Sequence, residues 1–78
     1  MRYVRFENGD FILAPEGFEG VPTHSQLARL FDHKPISAGF AHIGQNNDAI
    51  CYGKSESLRL EANEETDSAA LSLWLGLP

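Results

Sequence analysis

Apolar and polar positions alternate most clearly on either side of Asn8-Gly9, with Val4 and Phe6 before it and Phe11 and Leu13 after it. Asn-Gly flanked by alternating apolar residues is the favoured two-residue hairpin turn. It predicts a hairpin of Tyr3–Phe6 with Phe11–Leu13, in which Phe6 opposes Phe11, Val4 opposes Leu13 and Arg5 opposes Ile12. Val4, Phe6, Phe11 and Leu13 then share the core face, and Tyr3, Arg5, Glu7, Asp10 and Ile12 take the other.

The pattern next breaks over Pro15–Pro22, a loop closed by proline at both ends and interrupted by Gly17 and Gly20. Thr23 with Gln26 three residues on reads as a helix capping box. Leu27, Leu30 and Phe31 follow at helical spacing, predicting a helix of about two to three turns. Pro35 ends it, because a proline disfavours helical geometry at the residue before it, here Lys34.

Residues 36–60 return to strand-like runs: Ile36–Ile43, Ala49–Gly53 and Ser57–Leu60, separated by turns over 44–48 and 53–56. A two-residue turn at Asn46-Asn47 would set Ile43 opposite Ile50 and His42 opposite Cys51; one more loop residue would shift that pairing. Asn63 or Thr66 caps a last helix running to about Leu75, with Gly76 just past its end. On that helix Ala70, Leu71, Trp74 and Leu75 form the natural core stripe, and Leu73 lies off it. The order ββ-α-βββ-α predicts one α+β domain over residues 1–78. Its expected architecture is a small antiparallel sheet, an N-terminal hairpin plus a three-stranded meander, with two helices on one face.

Composition narrows what such a domain does. The chain has 78 residues, 42% of them hydrophobic, and a formal net charge of −5. Most of that charge is local: residues 56–78 carry Arg59 against Glu56, Glu61, Glu64, Glu65 and Asp67, and no base follows Arg59. Nucleic-acid affinity depends on counterion release by Lys and Arg, so this balance argues against nucleic-acid binding and equally against anionic membrane surfaces. No apolar run approaches the ~20 residues that span a bilayer, and the first residues are too charged for a signal peptide. One cysteine, Cys51, allows no internal disulfide, and a reducing, cytoplasmic setting is expected.

Catalytic signals are sparse. His42 and Cys51 could pair as thiolate and imidazolium, or as two metal ligands, if the hairpin register brings them together. A structural zinc site needs four ligands, and His24 and His33 do not complete it. No Gly-x-Ser-x-Gly, His-Glu-x-x-His or phosphate-loop motif occurs. No catalytic residue, metal or cofactor is therefore assigned.

The surviving candidates are surface residues. Glu64, Glu65 and Asp67 either offset the positive end of the last helix dipole or form an acidic patch for a basic partner. Leu73 and Leu77 suggest an apolar contact surface, and Phe18 is either a recognition tip or a plug for the sheet. The expectation is a small acidic, non-enzymatic interaction or regulatory accessory protein, of the kind phages and other mobile elements encode. It would bind a protein partner or a second copy of itself as a homodimer. The alternative is a ligand-binding domain or enzyme subunit with a site around His42, Cys51 and Tyr52, completed at an oligomer interface.

Overall fold

Two hairpin loops of the same construction decide which side chains share a face. In a computed structural model, which describes residues 1–16 and 22–77, β1 (Arg2–Phe6) pairs antiparallel with β2 (Phe11–Ala14). Gly9 N–H donates to the Phe6 carbonyl at 2.9 Å, and Phe6 N–H donates to the Asp10 carbonyl at 2.9 Å. Gly9 takes φ +93°, the left-handed residue that closes a three-residue loop with a bulge. The Asn8 side chain holds this longer loop by accepting from Asp10 N–H at 3.2 Å. The register is therefore Arg5 to Phe11 and Val4 to Ile12, one residue away from the expected pairing of Phe6 with Phe11.

The loop between β3 (Pro35–Ile43) and β4 (Ala49–Tyr52) repeats the device. Asn47 N–H donates to the Gly44 carbonyl at 3.1 Å, Gly44 N–H donates to the Asp48 carbonyl at 2.8 Å, and Asn47 has φ 58°. Ala41 consequently pairs with Cys51 and His42 with Ile50, again one residue from the two-residue-turn register. The strand order is β2-β1-β3-β4, all antiparallel.

Because side chains alternate along a strand, these registers bury the sheet on both faces. Tyr3, Phe11, Ala41, Ala49 and Cys51 pack with Leu71 on one face, whereas Val4, Phe6, Ala14 and Ala38 pack with Leu27 on the other. Tyr3 thus belongs to a core face rather than to a solvent face. The α+β class and its antiparallel sheet stand. The helices, however, lie on opposite faces of the sheet rather than together, since each face presents an apolar surface that needs cover.

The first helix, α1 (His24–Ala28), starts at Thr23 with both halves of the capping box formed. It is shorter than the expected two to three turns. Leu27 is buried, but Leu30 points to solvent and Phe31 leaves the helix to meet Phe6 edge-on, ring centres 5.0 Å apart. The chain must then reach Lys34, whose carbonyl accepts from Glu7 N–H at 2.8 Å as β3 begins.

The third strand of the expected meander does not join the main sheet. Gly53, at φ +76°, turns the chain away after β4, and β5 (Lys54–Ser55) pairs with β6 (Leu60–Glu61) as a separate two-stranded sheet. This small lobe crosses close over β3. Gly39 has no room for a side chain, because an added methyl would run into the Tyr52 carbonyl. The last helix, α2 (Glu64–Leu75), is capped by Asn63, which accepts from Thr66 N–H, and ends at Gly76 with φ +73°. Among the described residues, no helix is long and apolar enough to cross a membrane.

Candidate functional site

The inner side of α2 is tied to the sheet by polar contacts. Asp67 lies in its first turn but is 1% exposed, and it accepts from Tyr3 Oη at 2.5 Å, Arg5 Nη1 at 3.0 Å and Asn63 N–H at 3.0 Å. Tyr3 and Arg5 reach it together because they alternate onto the same face of β1. Asp67 is therefore a structural anchor and not part of an exposed acidic docking patch, because β1 covers its carboxylate. Cations and donors held around a buried carboxylate make such a cluster costly to break.

A second set of bonds runs along the sheet edge. The β4 N–H groups of Ala49 and Cys51 donate to Ser72 Oγ at 2.9 Å and Ser68 Oγ at 2.8 Å. Serines four apart on a helix lie on one side of it, so α2 closes an edge that would otherwise invite strand pairing.

Cys51 lies beside this contact, 1% exposed, and burial pushes its thiol up to about 11, with the Asp67 charge adding to the effect. Such a thiol is a poor nucleophile at neutral pH. His42 is on the opposite face of the sheet, its ring 5.6 Å from that of Tyr52. The proposed grouping of His42, Tyr52 and Cys51 is thereby divided: His42 and Tyr52 stay together, and Cys51 belongs to the core under α2. Among the described residues, no cluster of three or more His, Cys, Asp or Glu is arranged to hold a metal.

The exposed first turn and the outer side of α2 hold most of the remaining candidates. Leu73 is 81% exposed, and Glu64 and Glu65 are exposed at the start of the same helix. Trp74, expected in the core stripe, leans on Phe11 at 5.8 Å between ring centres and remains 46% exposed. Ala69 is exposed between the acidic start and the apolar end. Leu77 turns back after Gly76, its N–H donating to the Ser72 carbonyl at 2.9 Å, and packs against the core cluster of Tyr3 and Leu71. It contributes less free surface than Leu73. Phe18 lies outside the described residues.

The face carrying α1 holds a feature the sequence reading missed. Phe40 and Tyr52, paired across β3 and β4, sit 6.0 Å apart with planes inclined by 32°, and His24 meets Phe40 edge-on at 5.5 Å. His24 is fixed by its Nε2, 2.7 Å from the Gly39 carbonyl oxygen, which requires the hydrogen on that nitrogen. These rings line an open cleft of about 680 Å³ together with Arg2, Lys54 and Glu56. Arg2 and Phe40 face each other in register, but Lys54 and Glu56 arrive through the small lobe, which no local pattern announced.

Compared with known protein families, curated proteins and solved structures, the chain matches none of them. Any functional reading therefore rests on these surfaces.

Proposed function

We propose that the chain is a small non-enzymatic binding protein that docks the outer face of α2 onto a protein partner. The partner would present an apolar groove rimmed by Lys and Arg. The observation that carries this reading is the pairing of Leu73, 81% exposed, with a half-exposed Trp74 on a helix that is firmly held from its inner side. An exposed apolar surface beside an aromatic is the composition of an interface centre. The charge sets the partner's chemistry: Glu64 and Glu65 are exposed and residues 60–78 contain no base to neutralise them. A second copy would bring the same acids and no counter-charge, which favours a basic partner over a homodimer. The free thiol of Cys51 fits a reducing compartment such as the cytoplasm.

The test combines mass in solution with capture from the native host. The wild-type chain is expected to sediment as a monomer of 8.6 kDa and to retain a basic protein whose binding weakens as salt is raised. Leu73→Glu should weaken that binding at least about 30-fold, roughly 2 kcal/mol, with an unchanged melting temperature. Retention indifferent to Leu73→Glu would refute the docking face. A wild-type dimer that this substitution dissolves would instead make the occupant a second copy.

A further inference from the structure

The cleft on the α1 face is independent of the α2 surface and has a chemistry of its own. Its sheet side supplies two flat rings, Phe40 and Tyr52, and two cations reach it from different elements, Arg2 from β1 and Lys54 from β5. Neither cation is in an ion pair among the described residues, where the one side-chain pair is Arg5 with Asp67. The platform is pre-set rather than improvised. His24 is pinned by the Gly39 carbonyl and braces Phe40, while Gly53 carries no side chain where a methyl would come within 3.1 Å of the Phe40 ring. Glu56 adds one acceptor to the same lining.

We infer that this cleft binds a nucleoside monophosphate. An aromatic platform takes the flat face of a base of any sequence, and a pair of cations takes the phosphate. The Glu56 carboxylate accepts from an exocyclic amine or ring N–H, which a simple aromatic acid lacks. A volume of about 680 Å³ lies within the range of small-molecule sites, roughly 300–1,000 Å³. A polymer is disfavoured by the overall charge of −5, because a long phosphate backbone would meet uncompensated acids beyond the cleft.

The test is a titration of the full, nitrogen-15-labelled chain with adenosine, guanosine, cytidine and uridine monophosphates, read by amide shifts. Inorganic phosphate, adenosine and benzoate serve as separate arms. At least one monophosphate is expected to give saturable shifts at low millimolar concentration at the amides of Thr23, His24, Tyr52, Gly53 and Lys54. Phosphate, adenosine and benzoate should each bind at least about tenfold more weakly, since each offers only part of the complement. Lys54→Gln and, separately, Tyr52→Leu should each weaken binding about tenfold while leaving the α2 amide shifts in place. Both positions are exposed in the free protein, so these variants are expected to fold. The inference is overturned if no monophosphate gives saturable shifts at those amides. It is equally overturned if phosphate, adenosine or benzoate alone matches the best nucleotide, or if both variants bind as tightly as the wild type.

Discussion

Asp67→Ala is expected to cost about 3–5 kcal/mol of folding free energy, the range for removing one partner of a buried ion pair. For 78 residues the whole stability is on the order of 4–12 kcal/mol, so this loss is a large fraction of it and unfolds the chain at room temperature only at the lower end of that range. The cost arises on the partners left behind. Tyr3 Oη loses its acceptor in a fully buried position, Asn63 N–H loses its side-chain cap, and the Arg5 guanidinium loses its counter-charge. Asp67→Asn keeps an acceptor for one of the three donors and should cost less. Tyr3→Phe should cost less again, since it removes a donor rather than orphaning several. Urea unfolding of the three variants measures this order. An Asp67→Ala protein within about 1 kcal/mol of wild type would show that the cluster does not anchor α2.

Alkaline pH should unfold the protein through two groups in the same region. Burial raises the Cys51 thiol to about 11, helped by the neighbouring Asp67 charge; burial, followed by the hydrogen bond to Asp67, raises the Tyr3 phenol. In the unfolded chain a thiol ionises near pH 8.5–9 and a phenol near 10. Above pH ~9 the unfolded state therefore binds fewer protons than the folded state, and stability falls as pH rises. The stabilisation is complete below pH ~9 and is lost as pH climbs through about 11 for Cys51. At 1.36 kcal/mol per pH unit, Cys51 alone accounts for roughly 3 kcal/mol across that window. Tyr3 steepens the fall above pH ~10. Urea midpoints measured from pH 7 to 11 should decline accordingly, and Cys51→Ala should show a shallower decline beginning nearer pH 10. Equal slopes for Cys51→Ala and wild type would contradict the burial of this thiol.

What the sequence made legible was local. Thr23 with Gln26 and Gly76 after Leu75 carry their signals within four residues and cap their helices as expected, and of the two candidates Asn63 and Thr66 it is Asn63 that caps α2. The hairpins were legible as hairpins but not in register. Asn8-Gly9 and Gly44–Asp48 suit either a two-residue or a three-residue loop, and hydrogen bonds to Asp10 and Asp48 select the longer one. That single residue moved Phe11 and Leu13 from the face of Val4 and Phe6 to that of Tyr3 and Arg5, and it separated His42 from Cys51. Asp67 read as an ordinary first-turn acid because its partners stand 64 and 62 residues away in the chain. The cleft was hidden for the same reason, since Arg2, His24, Phe40 and Lys54 come from four separate elements. The exposure of Leu73 was legible from helical spacing alone, because it needs only the direction of the core stripe.

The outer face of α2 carries its own reporter, since Trp74 is the only tryptophan in the chain and is 46% exposed. Its emission, followed while a captured tryptophan-free partner or fragment is added, tests the docking surface directly. The account predicts a shift to shorter wavelength and protection from acrylamide quenching, both lost in Leu73→Glu. Saturable binding that leaves Trp74 emission and quenching unchanged would contradict it.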